Sequence, residues 1–243
     1  MYSYRMNVSC RSQRELKNYT VERDVCMSLA RDFQRQCRYQ IMKVGVFLEI
    51  YFDNQPGFMS SDIPPVPNVT LKPNEFLLLT VNLPDHDEIV GFRNTLEAWW
   101  DFLRPQSSFG EKWCLSKLKN DYSSLRLMPG TKHIPGIRWV IFDPTANLGK
   151  SAEECWHTTD TSARLATNEI LMAATLLPDL MKDWRNKLLL VNMSGYQFCQ
   201  VDDWDSTIYL GYWDNIHRLK LGSVCSSMSV KDCISPTVRD ISV

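Results

Sequence analysis

Two runs of carboxylates are the side chains best equipped for chemistry. Asp85-His86-Asp87-Glu88 packs three acids and an imidazole into four residues, and Asp202, Asp203 and Asp205 form a second cluster. Hard cations such as Mg²⁺, Mn²⁺ or Ca²⁺ need several oxygens converging at about 2.0–2.6 Å, and strand ends supply such oxygens. Asp143, at the end of an expected strand, and Glu169, on the next expected helix, complete a candidate metal set with Asp202, Asp203 and Asp205. A cation held there would activate water for hydrolysis. A local reading competes with this one. Acids just ahead of a helix, as at Asp85–Glu88, cap it and complement its dipole, and the 202–205 run also fits a polar turn. Cys155 and His157 are two residues apart, which on a strand would put thiol and imidazole on one face, but no third group orients the base. Leu148-Gly149-Lys150-Ser151 ends like a phosphate loop, yet Pro144 stands where its first glycine belongs. No cofactor is expected.

The other chemical resource is aromatic. The chain holds 8 Trp, 9 Tyr and 10 Phe, 11% of its residues. Such rings serve either as core packing or as a platform for stacking a partner. Trp99 and Trp100 are consecutive in an expected helix, so one narrow stripe cannot hold both. Trp204-Asp205 and Tyr212-Trp213-Asp214 set rings beside carboxylates at expected turns. Trp100, Trp204, Tyr212 and Trp213 are therefore the partner-binding candidates, forming an aromatic and acidic surface.

Charge narrows the partner. The net charge of −1 removes the simplest case for a general nucleic-acid binder. It is unevenly spread: residues 1–40 carry eight basic side chains against four acids, a local +4, which leaves −5 on the remainder. Arg31, Arg35 and Arg38 are the candidate phosphate contacts, but Asp24 and Asp32 dilute any basic stripe. The favoured partner is another protein. The eight cysteines include no Cys-x-x-Cys pair, which fits free thiols in a reducing compartment. With no apolar run long enough for a leader or a membrane span, the expectation is a soluble, cytoplasmic chain.

These residues need elements to position them. Val21, Val25, Leu29, Phe33 and Cys37 recur every fourth residue, the stripe of an amphipathic helix over about residues 20–40. Ile41–Phe52, rich in β-branched and aromatic residues, reads as a buried strand. Five prolines at 54–74 exclude helix and central strand. Strands are expected at 75–83 and 137–143, and helices at 87–103, 111–119 and 161–177, with a new helical turn from Pro178. A hairpin joins 207–213 to 217–224. The fold class is α+β, with an antiparallel-rich sheet, several packed helices and a C-terminal β-hairpin. The expected organisation is a basic helix and strand segment at 1–53, a Pro-rich loop or linker at 54–74, and an α+β main domain at 75–243.

Leu125-Arg-Leu-Met-Pro-Gly130, followed by His133-Ile-Pro-Gly-Ile-Arg-Trp-Val-Ile-Phe-Asp143, resembles the RLxPG…PGxRWVxxD signature of a group of bacterial proteins with no assigned activity. The stretch from Leu165 to Pro178 and the pair Gly195-Tyr196 fit the same pattern. The resemblance implies no reaction, cofactor or catalytic residue, and favours a prokaryotic cytoplasmic protein. Read physically, the same stretch is two short strands set apart by glycine and proline turns, with Arg138 available to pair with Asp143 or Glu169. The leading expectation is a non-enzymatic binding protein with an aromatic and acidic recognition surface. The runner-up is a metal-dependent hydrolase built on the carboxylates.

Overall fold

The computed structural model describes residues 15–52, 55–85, 87–106, 125–128, 131–158, 163–187, 189–199, 204–213, 218–228 and 231–241. Among them, five helices and ten strands make an α+β fold rich in antiparallel pairs. The helix expected at 111–119 lies outside the described residues. Contacts divide the chain into two compact units, residues 1–39 and 40–243.

Helix α1 runs unbroken over Glu15–Phe52. Its residues before position 40 belong to the first unit, where Arg35 and Arg38 are exposed and Arg35 lies 3.6 Å from Asp32. The side chain of Arg31 lies outside the described residues. From Gln40 onward the helix belongs to the second unit, which corrects the strand expected over Ile41–Phe52. The burial period gives the reason. Val44, Phe47, Leu48 and Phe52 are buried, whereas Met42, Val46 and Ile50 are exposed. A strand would have put Val44, Val46 and Leu48 on one face. A helix keeps Val44 and Leu48 on one face and turns Val46 away, so packing on one stripe overrides the β-propensity of the individual residues.

Two sheets fill the second unit. In the first, β1 (Phe76–Asn82) pairs antiparallel with β3 (Gly136–Asp143), β10 (Thr237–Asp240) lies on the other side of β3, and β4 (Arg164–Leu165) closes the order β1-β3-β10-β4. The free side of β1 is met by the buried side chain of Gln40. Its amide nitrogen donates to Leu77 O and its carbonyl accepts from Leu79 N, both at 2.8 Å, as a neighbouring strand would. In the second sheet, β7 (Ser206–Trp213) and β8 (Arg218–Cys225) form the expected C-terminal hairpin. The other side of β7 is shared by β5 (Leu190–Asn192) and β6 (Tyr196–Phe198). β2 (Leu125–Leu127) extends β6, and β9 (Cys233–Ile234) runs parallel to β5.

The core between helices and sheet is aromatic. Phe47 stacks on Trp99 of α2 (Glu88–Gln106) with centroids 4.1 Å apart and planes 9° off parallel, and Phe102 meets both edge-on. The buried Trp99 indole donates to Val81 O at 3.0 Å. The Pro-rich stretch is ordered where described: Phe58 stacks on Phe52 at 4.2 Å, and the Trp139 indole donates to Pro64 O at 3.0 Å.

The helix expected from about 161 to 177 is in fact split. Arg164–Leu165 is drawn into the sheet as β4, and helix α4 starts only at Glu169 and runs to Leu176. All eight of its residues are buried, because it packs on β1, α2 and α5 (Pro178–Asn186). Pro178 opens α5, where its missing N–H costs nothing.

Candidate functional site

Each described member of the expected metal set is engaged by a near neighbour. Asp143 ends β3, and its Oδ1 accepts from the backbone N and the hydroxyl of Thr145 at 2.8 and 3.0 Å, a local turn. Glu169 is buried against Arg164 at 2.5 Å. Asp205 is exposed, and its Oδ1 accepts from Ser206 Oγ at 3.0 Å. Asp202 and Asp203 lie outside the described residues. Among the described residues, no group of three or more His, Cys, Asp or Glu could hold a metal ion. In the earlier acidic run, Asp87 Oδ1 accepts from Val90 N at 3.1 Å in the first turn of α2, and Asp85 accepts from Asp87 N and Asn94 Nδ2 at 3.1 Å. These acids do capping work there.

Cys155 and His157 belong to helix α3 (Ala152–Thr158), so the strand that would have put them on one face is corrected. Two residues on a helix are about 200° apart. Cys155 is accordingly buried and His157 exposed. Burial pushes the Cys155 thiol up, away from the thiolate that nucleophilic attack needs.

Buried polarity concentrates where the two sheets meet. Glu169 accepts from Arg164 Nη2, from Thr167 N and from Thr167 Oγ1, the last two at 2.9 Å. Burial alone would raise its carboxyl, but the Arg164 charge and these hydrogen bonds together hold it down at about 2. Tyr196 Oη donates to Asn168 Oδ1 at 2.6 Å, and burial followed by the Glu169 charge drives its phenol well above the ordinary value. Ser194 Oγ donates to Ser235 Oγ at 2.7 Å. The turn carrying Ser194 crosses this seam closely at Gly195, where a Cβ would come within 2.9 Å of Leu165 O. Glu169, Tyr196 and Cys155 are each moved away from neutrality, so none of them is tuned to exchange a proton near pH 7.

The aromatic candidates separate. Trp100 is buried at 5% exposure beside Trp99, which corrects its placement on a partner surface. At this level α2 is covered on more than one side, so both rings pack. Tyr212 and Trp213 end β7, and their side chains lie outside the described residues. Trp204 is partly exposed, just ahead of β7. The guanidinium of Arg126, on β2, lies 4.3 Å from the centroid of its ring, a cation–π contact. Gln197, on β6, ties the pair together: its Oε1 accepts from Arg126 Nε at 2.5 Å and its Nε2 donates to Trp204 O at 3.4 Å. The nearest charged partner of this ring is thus a cation, with the exposed Asp205 next to it in the chain. Arg126 and Gln197 are 71 residues apart in sequence, and no spacing rule links either to Trp204. Alternation along β2 and β6 would have raised them only once the two strands were known to pair.

Among the described residues no helix is long and apolar enough to cross a membrane. Comparison with protein-family models, with curated proteins and with solved structures yields no match.

Proposed function

We propose that the chain is a non-enzymatic binding protein whose partner, another protein, docks on the patch formed by Trp204, Arg126 and Gln197. The observation that carries this reading is the Arg126 guanidinium held over the Trp204 ring at the surface. An exposed cation–π contact contributes only about 0.5–1 kcal/mol to stability, so the fold does not depend on it. Trp and Arg are the side chains that most often dominate protein interfaces, and fixing their rotamers beforehand lowers the entropy cost of binding. The exposed Asp205 carboxylate, next in the chain, adds an acidic group to the proposed surface.

The test compares the wild type with Trp204→Ala and Arg126→Ala as bait in host lysate, with melting curves for each. Truncating a central interface residue costs at least about 2 kcal/mol of binding, roughly thirtyfold in affinity. Both variants should therefore lose a specifically captured protein while melting within a few degrees of the wild type. Undiminished capture by both variants contradicts the reading.

A further inference from the structure

We propose that Arg138 and Arg164 form a binding site for a small oxyanion, a carboxylate or phosphate group, independent of the Trp204 patch. The two residues share one face of the β1-β3-β10-β4 sheet. Arg138 and Phe142 lie four apart on β3, and the register Phe142↔Val238↔Arg164 carries the same face across β10 to β4. The helices close this face from above: Glu169 of α4 bonds Arg164, and Trp184 of α5 meets Phe142 edge-on at 6.5 Å.

Both guanidiniums are only half used. Arg138 Nη1 lies 3.3 Å from Asp240, and Arg164 Nη2 engages Glu169. Arg138 Nε and Nη2 and Arg164 Nε and Nη1 are all buried without a hydrogen-bond partner. Native proteins leave few buried donors unpaired, and donors on a charged group are among the costliest to leave so. Nε and Nη2 of Arg138 lie along one edge of the guanidinium. That edge grips a carboxylate or phosphate through two parallel N–H···O bonds. The Arg164 side chain is 9% exposed and the Arg138 side chain 20%, so both charges are largely withdrawn from water.

Charge points the same way. The two cations share two carboxylates, the buried Glu169 and the Asp240 side chain, which is 51% exposed, so the cluster has no net negative charge to repel an incoming anion. Burial pushes the Arg138 guanidinium down; the Asp240 charge opposes that most, the Arg164 charge adds to it and Glu169 opposes it, so the two cations repel within the cluster. An anion between them relieves that repulsion and supplies acceptors for the orphaned donors. Entry is from the side of Asp240, whose side chain is half exposed to solvent.

Titration calorimetry of the full chain at constant ionic strength tests this, with inorganic phosphate and acetate as probes and chloride as control. Saturable binding of phosphate or acetate, absent with chloride, is expected. Arg138→Gln should weaken it on the order of 10- to 100-fold, the range for losing hydrogen bonds from a charged group. Arg138→Lys, which keeps the charge but lacks the two-pronged edge, should fall between. The wild-type titration needs no variant to fold, and melting curves check the variants. Absence of binding by both oxyanions, equal heats with chloride, or undiminished binding by a folded Arg138→Gln overturns the proposal.

Discussion

Glu169→Gln is expected to lower the stability of the unit at 40–243 by about 3–5 kcal/mol, the range for removing one partner of a buried ion pair. The substitution keeps the shape and leaves an acceptor for Thr167 N, which Glu169 Oε2 serves at 2.9 Å. What it removes is the charge that compensates Arg164, whose side chain is only 9% exposed. At roughly 2–4 °C per kcal/mol for a chain of this size, the melting temperature should drop by roughly 6–20 °C. Adding Arg164→Met should return much of the loss, because the orphaned cation disappears with it. A double variant no more stable than Glu169→Gln would show that the pair is not where the cost arises.

The same group sets an acid limb. The Glu169 carboxyl is held at about 2 in the folded chain against an ordinary 4.5, because the Arg164 charge and hydrogen bonds outweigh burial. A depressed carboxyl stabilises the fold fully above its unfolded value and loses that contribution as pH falls through the folded one. The loss therefore falls between about pH 4.5 and 2 and amounts to roughly 3 kcal/mol. Urea melts of wild type and Glu169→Gln across this range isolate it: the stability gap should be constant above about pH 5 and close toward pH 2. A gap that does not change with pH would contradict the assignment.

Trp99→Ala is the second large effect, at about 3–5 kcal/mol for emptying a buried tryptophan site. The variant also strands Val81 O, which the indole serves at 3.0 Å, and unstacks Phe47. Phe47→Ala should be costly too, and a double-mutant cycle with Trp99 should give a coupling of about 0.5–1.5 kcal/mol for the stacked pair. Val46→Ala, at 43% exposure, should change stability by no more than about 0.5 kcal/mol. That contrast between neighbours holds only if residues 41–52 are helical. A large loss from Val46→Ala in urea unfolding would argue for a different packing.

Much of the fold is legible wherever local pattern and tertiary packing agree. The apolar runs at 76–82 and 136–143 are strands in the sequence and in the structure, Pro178 opens a helix, and the hairpin at 206–225 follows its alternation. The departures have specific causes. Residues 41–52 are rich in strand formers, but Gln40 and Phe47 must reach β1 and Trp99, and only a continuous helix presents both. Arg164 and Leu165 are pulled from the expected helix into β4 by pairing with Val238 and Thr237, more than seventy residues away. Trp100 sits in a helix buried on several sides, a tertiary fact that spacing along one helix does not carry. The candidate patch is less legible still. Trp204 stands out by residue type, but Arg126 and Gln197 reach it only through the β2–β6–β7 pairing.

Hydrogen–deuterium exchange of the chain with and without its captured partner locates the contact amide by amide, independently of any loss of function. Added protection is expected to concentrate at Leu125–Leu127, at Tyr196–Phe198 and at the Trp204–Ser206 turn, which carry Arg126, Gln197 and Trp204. Protection along the helix at 15–52, with these three segments unchanged, would contradict it.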